Sequence, residues 1–393
     1  MATSEVLDRH GTHVTLTWRV GERSVPLVSG VGVRGYPGLD PALAAVAEAL
    51  SRGRLAPPAA PFLDASGGPG AVMAYSRDRG GPVGELLVTS AAARRAALAL
   101  GVDGARLRAD HPWDLAPESV AEGWWRPPSD RGWARLGAEL AGWARALTPS
   151  GRLVSVWHKD EGAKRAERLA AERFAGVAVV NRAGGWRVVE LTRPAAELAA
   201  PEPWHSWEGP DGPMRTLVGT FAADRLDAGT AVLLTALAQH AGAGELAGAR
   251  VLDLGCGSGV LARRALLAGA AEVLALDDDL AAVRSTQAVL AGAPRARAVW
   301  SDLTLDVPDA SGFDVVLTNP PFHVGRRVVA ALSEGFVAAA HAALRPGGRL
   351  WLVANAALPF ERLLADWQTV QDRTPAGVGA YRVFSAVRRA DRT

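Results

Sequence analysis

Short apolar runs alternate with helical stretches between residues 216 and 393. The apolar runs have the length and the Val and Leu content of strands, and they lie in ARVLDLGCG, AEVLALDD, RARAVWSD, FDVVLTNPP and GGRLWLVAN. Residues 260–268 and 328–344, which separate some of these runs, carry apolar side chains at helical spacing. This alternation of strand and helix predicts an α/β fold with a parallel, doubly wound sheet.

Two more strand candidates, DWQTVQDRT and YRVFSAVRR, follow and are joined by the loop PAGVGA. A loop of this length permits a hairpin, whereas a parallel pair would need a helical crossover. We therefore expect an antiparallel strand at the end of the sheet.

The first half of the chain repeats the second half in weakened form. LTPSGRL at 147–153 matches LRPGGRL at 344–350, and WRVV at 186–189 matches YRVF at 381–384. Extending this alignment backwards places Ser66 opposite Gly255 and Ser90 opposite Asp277. The segment GWWRPPS at 123–129 keeps two prolines but lacks the Asn of the second half. The alternative is chance similarity in a chain rich in Ala, Gly and Arg.

A segment rich in Pro, Trp and Gly interrupts the pattern between residues 194 and 213. We expect two tandem Rossmann-like domains, a degenerate one at 1–195 and a catalytic one at 216–393, with a linker at 196–215. The first domain, having lost its chemistry, would serve as an RNA-docking or scaffolding surface.

Composition narrows the class of protein. Apolar residues are 49% and charged residues 21% of the chain, values typical of globular domains, and no apolar run could span a bilayer. A single cysteine, Cys256, and an N-terminus without a signal pattern favour the cytoplasm. The net charge of +2 does not by itself indicate a nucleic-acid partner, although all but two of the 43 basic residues are arginine.

The segment LDLGCGSG joins a strand to a helix and supplies glycines at 255, 257 and 259. Glycines at such a turn tolerate positive φ and let a ligand approach the backbone. A dinucleotide-binding fingerprint would need Gly in place of Val260, so a nicotinamide cofactor is disfavoured. Asp277 ends the next strand, where a carboxylate can bind ribose hydroxyls. A ribose-containing ligand is therefore expected, the alternative being an ordinary tight turn, and the two aspartates after Asp277 are expected to cap a helix.

The motif Asn319-Pro320-Pro321-Phe322 directly follows the strand FDVVLT, at the sheet edge where doubly wound folds bind ligands. The prolines fix the backbone, which leaves the Asn319 side-chain oxygen and the Pro320 carbonyl as acceptors at a set separation. Two such acceptors suit the two hydrogens of a planar amine, and Phe322 could stack on a flat ring. The alternative is a proline turn with a core Phe.

Together these motifs resemble the class I S-adenosylmethionine-dependent methyltransferases that act on exocyclic or amide nitrogens. GTFAADRLDAGTAVLL, NPPFHVG and LVANAALPF look like the two-domain bacterial ribosomal RNA guanine-N2 methyltransferases of the small-subunit type. The resemblance covers residues 217–388 strongly and the first 195 residues weakly. It implies S-adenosylmethionine as cofactor, ribosomal RNA or the small ribosomal subunit as partner, and a first domain that is a degenerate copy of the second.

The resemblance also implies roles for individual residues. The expected cofactor-binding residues are Asp253, Gly255, Cys256, Gly257, Gly259, Asp277, Asp302, Asn319, Asp227 and Thr230. Asn319, Pro320 and Phe322 are the expected catalytic residues, and Pro321, Phe322 and His323 are expected to bind the substrate. Simpler interpretations exist: an Asx turn for Asp302, a helix N-cap for Thr230, a small turn residue for Cys256, and a solvated or backbone-bonded imidazole for His323.

The expected reaction is a direct displacement on the sulfonium methyl, which needs positioning more than a strong base. No metal is implied by the spacing of the eight histidines and one cysteine, and we expect a monomer. Adenine-N6 and protein glutamine-N5 methyltransferases share the NPP-aromatic motif, but they often have Tyr in place of Phe322 and lack the following His-x-Gly. A non-catalytic RNA-binding or ribosome-assembly factor is the third alternative, which the intact glycine segment disfavours.

Overall fold

The structure is a computed structural model that describes residues 13–30, 33–195, 199–241, 244–303, 309–321, 326–358 and 360–389, with backbone only at 13 and 326–331. The chain divides into two compact units, Met1–Pro203 and Trp204–Thr393. Each unit has its own sheet and its own core.

The first unit contains nine strands and five α-helices in its described part, besides four short 3-10 helices. The strands are β1 (His13–Val20), β2 (Arg23–Gly30), β3 (Phe62–Ala65), β4 (Gly84–Leu87), β5 (Leu107–Arg108), β6 (Val120–Trp125), β7 (Leu147–His158), β8 (Phe174–Ala183) and β9 (Trp186–Pro194). The helices are α1 (Ala42–Ser51), α2 (Ala71–Asp78), α3 (Ala91–Ala99), α4 (Gly132–Ala146) and α5 (Ala163–Ala171). Its seven-stranded sheet has the order β5-β4-β3-β6-β7-β9-β8, and β1 and β2 form a separate hairpin.

The second unit contains nine strands and five helices in the part that is described. The strands are β10 (Trp204–Gly209), β11 (Gly212–Leu217), β12 (Arg250–Leu254), β13 (Glu272–Asp277), β14 (Ala296–Trp300), β15 (Phe313–Thr318), β16 (Leu344–Asn355), β17 (Gln368–Asp372) and β18 (Tyr381–Val387). The helices are α6 (Ala228–His240), α7 (Val260–Leu267), α8 (Leu280–Val289), α9 (Arg326–Ala343) and α10 (Phe360–Leu363). Strands β10 and β11 form a hairpin in the stretch for which the sequence predicted a linker, because Pro-Asp-Gly at 210–212 reverses the chain.

The second sheet has the order β14-β13-β12-β15-β16-β18-β17. Its first five strands are parallel, whereas β18 is antiparallel to both β16 and β17. Apolar clusters cover both faces of this sheet, which is why its central strands are apolar along their whole length. The predicted doubly wound α/β fold with an antiparallel terminal strand is confirmed.

The two sheets have the same strand order, and their registers identify equivalent residues. Asp64 of β3 pairs with Leu86 of β4, and Asp253 of β12 pairs with Ala275 of β13. Both aspartates are fully buried and accept from a backbone N–H nine residues further along, that of Met73 or Ala262. Asp64 and Asp253 are therefore equivalent.

One predicted equivalence is wrong. With Asp64 opposite Asp253, the register places Val88 rather than Ser90 opposite Asp277. Ser90 instead corresponds to Asp279, and each of these two side chains caps the helix that follows it. The sequence alignment matched two glutamates at the strand starts and so slipped by two residues.

Candidate active site of the second unit

The turn between β12 and α7 requires its glycines. Gly255, Gly257 and Gly259 have φ of 78°, 52° and 82°, a region that other residues enter at a cost of roughly 1–2 kcal/mol. Space is limited as well: a Cβ at Gly255 would lie 3.0 Å from the Phe336 ring, and one at Gly259 would lie 3.0 Å from Oγ1 of Thr286. Backbone conformation and the close packing of Phe336 and Thr286 therefore both favour glycine in this turn.

Asp253 lies buried just before this turn. Its Oδ2 accepts a 2.8 Å hydrogen bond from the Ala262 N–H, but no described residue donates to its Oδ1. Burial, together with the nearby charge of Asp277, raises the pKa of Asp253 to about 7. An unpaired buried carboxyl oxygen is costly, so Oδ1 is a candidate ligand-binding atom.

Asp277 connects the end of β13 to the glycine turn. Its Oδ2 accepts from the Gly257 N–H at 2.9 Å, and its Oδ1 accepts from the Asp279 N–H at 2.8 Å. The carboxylate is half-buried at the carboxyl end of β13, the place where doubly wound folds bind a ribose. The geometry thus suits the predicted ribose contact.

Asp302 lies two residues beyond Trp300, the last residue of β14, which pairs with Asp277. It is half-buried and lies at the same edge of the sheet as Asp277. The structure thereby brings Asp302 to the end of the strand next to β13, as the sequence predicts.

Asn319 follows β15 and contacts the start of α6. Its Nδ2 donates to Oδ2 of Asp227 at 2.9 Å and to Oγ1 of Thr230 at 3.0 Å. Its Oδ1 is buried, and it accepts no hydrogen bond from any residue that the structure describes. The side chain that caps α6 is that of Asp227, which accepts from the Thr230 backbone N–H at 2.9 Å. Thr230 is therefore not the N-cap residue, and its hydroxyl is available to Asn319.

Cys256 has the character of a structural residue. Burial, followed by the charges of Asp277 and Asp253, raises the pKa of its thiol well above the usual range. Its Sγ accepts a 3.3 Å hydrogen bond from Oγ1 of Thr286. A protonated, buried thiol is not a nucleophile.

The remaining predicted residues divide into two groups. Pro320 is buried and Pro321 is exposed, whereas Phe322 and His323 lie outside the described residues. The structure adds Phe336, Thr286 and the exposed Phe221 near the glycine turn. Their contacts depend on helix packing and loop course, so the sequence pattern gives no signal for them, although Phe221 does lie within the GTFAADRLD segment.

The equivalent place in the first unit is filled by its own side chains. Arg126 stands where the second unit has Asn319, since each lies two residues beyond the partner of the equivalent aspartate. Its buried guanidinium pairs with Asp40 at 3.2 Å and Glu161 at 3.0 Å, and it stacks 4.7 Å from the Trp186 ring centroid. A cavity of only about 10 Å³ remains beside it, the lower limit for one water molecule.

A doubly wound sheet with a glycine turn, an acidic strand end and an Asn-Pro-Pro strand end defines the second unit as a class I methyltransferase domain. A family model described as the methyltransferase small domain matches residues 211–384. The described residues contain no group of three His, Cys, Asp or Glu side chains that could hold a metal ion. They also contain no helix long and apolar enough to cross a membrane.

Comparison with known proteins identifies the family. Ribosomal RNA small subunit methyltransferase C from Chromohalobacter salexigens is 35% identical over 259 residues, which span 64% of this chain and 75% of that relative. Ribosomal RNA large subunit methyltransferase G from Streptomyces avermitilis is 37% identical over 185 residues, 44% of this chain and 47% of that relative. The solved structure of the Thermus thermophilus 16S rRNA N2 G1207 methyltransferase (RsmC), in complex with AdoMet and guanosine, has a TM-score of 0.82 and 33% identity over 93% of this chain and 96% of that chain. The chain belongs to the small-subunit ribosomal RNA methyltransferase C family.

Proposed function

We propose that this protein transfers a methyl group from S-adenosylmethionine to the exocyclic N2 amine of a guanine in small-subunit ribosomal RNA, in the cytoplasm. The observation that carries the chemistry is the buried Oδ1 of Asn319, which is held at the end of β15 by Asp227 and Thr230. Family membership and the structural similarity to an enzyme solved with AdoMet and guanosine support the cofactor and the base.

The residues around the glycine turn fit S-adenosylmethionine. The positive φ of the three glycines forms a tight turn whose backbone a ligand can approach closely, and the unpaired Oδ1 of Asp253 can accept from a cationic amine. Asp277 would hold the ribose, and Asp302 would lie near the adenine amine. When bound, S-adenosylmethionine supplies an electrophilic methyl group.

The residues of this chain then act mainly by positioning. The Asn319 Oδ1 and the Pro320 carbonyl would accept the two hydrogens of the guanine amine and thereby direct its lone pair. Correct placement of two reacting groups is worth roughly 7–11 kcal/mol. The same acceptors would stabilise the positive charge that develops on the nitrogen. The methylated amine is then acidic enough to release its proton to water, so the scheme needs no strong base.

Methylation of ribosomal subunits from cells that lack the gene tests this function. The full chain is incubated with S-adenosylmethionine carrying a deuterated methyl group, and the RNA is digested and analysed by mass spectrometry. We expect labelled N2-methylguanosine in small-subunit RNA. Label in N6-methyladenosine, in glutamine of a release factor, or in no product would contradict the proposal.

A second experiment must distinguish the two ribosomal subunits as substrates, because one relative is named as a large-subunit methyltransferase. That relative matches this chain over 47% of its length, whereas the small-subunit enzyme of known structure matches over 96%. Purified small and large subunits are therefore assayed side by side. Label confined to large-subunit RNA would be consistent with the guanine-N2 reaction but would contradict small-subunit RNA as the substrate.

We further propose that the first unit docks RNA without taking part in the chemistry. Exposed arginines such as Arg94 and Arg106 are suited to phosphate contacts, which position a nucleic acid without reading its sequence. Arg94→Ala and Arg106→Ala in the full chain should each weaken RNA binding and lower the slope of log affinity against log salt by about 1. Arg23→Ala, which removes an arginine paired with Asp78, is the matched control. Equal slopes for the wild type and the three variants would show that Arg94 and Arg106 do not contact RNA phosphates.

A further inference from the structure

We propose that Asp227 and Thr230 are positioning residues that fix the amide of Asn319 in its catalytic orientation. This inference rests on the proposed function and deepens it. The Asn319 Nδ2 has two hydrogens, and both are used: one goes to Oδ2 of Asp227 and one to Oγ1 of Thr230. The amide therefore has a single free atom for a substrate, which is the buried Oδ1.

The identity of Asp227 decides which way the amide points. A carboxylate only accepts hydrogen bonds, so a rotated amide would place Oδ1 against Oδ2 of Asp227 and repel it. Rotation would also direct the NH₂ group at the substrate amine, where two donors cannot bond. Asp227 thus ensures that Asn319 presents an acceptor.

The charge of Asp227 adds to the effect of its geometry. A hydrogen bond from Nδ2 to an ionised carboxylate polarises the amide and increases the negative charge on Oδ1. A more negative acceptor is of most use in the transition state, when the substrate nitrogen becomes positive. The expected consequence of losing this contact is slower turnover rather than weaker cofactor binding.

The first unit has the same pair of positions. Asp40 lies before α1, its Oδ1 accepts from the Ala42 N–H at 2.9 Å, and its Oδ2 accepts from Nε of Arg126 at 3.2 Å. In both units, then, an aspartate before the helix reaches the residue that follows the equivalent strand. The contact is a property of the fold, and only the unit with Asn319 offers an acceptor to a substrate.

Family resemblance suggests a different role, in which Asp227 and Thr230 contact the cofactor directly. Three variants separate the two roles. Asp227→Ser keeps a helix-capping hydroxyl but is too short to reach Asn319. Thr230→Val removes the acceptor at nearly constant volume, and Thr230→Ser restores it.

Our expectation for kinetics follows from the strength of the two bonds. Asp227→Ser should lower kcat by about 10- to 100-fold, because it removes a hydrogen bond to a charged group. Thr230→Val should lower kcat by about 3- to 10-fold, because it removes a hydrogen bond to a neutral group. Thr230→Ser should stay within about twofold of the wild type, and all three should bind S-adenosylmethionine within about threefold of it. A large rise in the dissociation constant for the cofactor with unchanged kcat would overturn the proposal in favour of direct contact.

A double-mutant cycle tests whether Thr230 acts through Asn319. In the Asn319→Ala background, Thr230→Val should cause no further loss of the residual rate, because its partner is gone. The same fold-loss in both backgrounds would show that the two residues act independently, and would overturn the proposal.

The orientation can also be observed without any assay of activity. The chain contains only three asparagines, Asn181, Asn319 and Asn355, so selective ¹⁵N labelling gives three side-chain NH₂ pairs in an NMR spectrum. Asp227→Ser and Thr230→Val should shift one pair and accelerate its hydrogen exchange, while the other two pairs serve as internal controls. If neither variant shifted any NH₂ pair, the positioning proposal would be contradicted even if the enzyme is active. If one pair shifted but the protein did not methylate guanine, only the proposed function would be contradicted.

Discussion

The hydroxyl of Ser66 donates a 2.5 Å hydrogen bond to Oδ1 of Asp64 in the first unit. The second unit has Gly255 at the equivalent position, so Oδ1 of Asp253 has no partner in the described part of the chain. The hydroxyl and the backbone N–H of Ser66 thus both donate to the buried carboxyl oxygen in the first unit, whereas in the second unit this oxygen has no donor among the described residues. This difference leaves Oδ1 of Asp253, but not Oδ1 of Asp64, as a candidate atom for the proposed cofactor contact.

We predict that S-adenosylmethionine binds once per chain. In the first unit the Ser66 hydroxyl donates to Oδ1 of Asp64, and the guanidinium of Arg126 fills the place of Asn319. Calorimetric titration should give a stoichiometry of about one, because the described residues of the first unit leave no accessible pocket at the equivalent place. A value of about two would show that the first unit still binds the cofactor.

The pKa of Asp253 predicts a pH dependence of stability. This pKa is about 7 in the folded protein against an ordinary 3.8, so the unfolded chain gives up the proton first as the pH rises. The contribution of Asp253 to stability is therefore complete below the ordinary pKa and is lost as the pH rises towards the folded value.

Thermal unfolding of the cofactor-free chain at about pH 5 and pH 8 measures this effect. Burial also raises the pKa of Asp64, so the informative quantity is the difference between the wild type and Asp253→Asn, which cannot ionise. We expect a smaller drop in Tm between the two pH values for Asp253→Asn. Equal drops would mean that Asp253 ionises normally.

Much of the second unit could be predicted from the sequence. Its strands are apolar runs buried on both faces, and the glycines at 255, 257 and 259 mark the turn by residue type alone. The hydrogen bond between Asn319 and Asp227 could not be predicted, because 92 residues separate them and the local motif around each residue does not show which side chain it contacts. The contacts of Arg126 could not be predicted for the same reason, because Asp40 and Glu161 are distant from it in sequence. The contact of Ser66 with Asp64 depends on the side-chain geometry of the turn, which the sequence does not give.

Arg126 should be important for the stability of the first unit. It is buried between Asp40 and Glu161, and removing one partner of a buried ion pair costs roughly 3–5 kcal/mol. Arg126→Ala should lower the free energy of unfolding by about this amount, measured with urea. Arg52→Ala, at an exposed pair with Glu48, is the control and should cost less than about 1 kcal/mol. Similar losses for both variants would show that Arg126 does not stabilise the unit.

Asp277→Ala should weaken cofactor binding. The variant loses charged hydrogen bonds worth roughly 1.5–3 kcal/mol, or about 10- to 150-fold in affinity, and it also frees the N–H of Gly257. Asp278→Ala at the next position is the matched control and should bind within about twofold of the wild type. An unchanged dissociation constant for Asp277→Ala would move the ribose site elsewhere.

The most direct test of the account is a paired measurement on Asn319→Ala, of cofactor affinity by calorimetry and of methyl transfer to guanine in ribosomal RNA. Loss of the Asn319 Oδ1 removes an acceptor that acts on the substrate amine, so the rate should fall by about 100-fold or more while the dissociation constant for S-adenosylmethionine changes little. A variant that retained most of its activity would contradict the claim that Asn319 orients the amine.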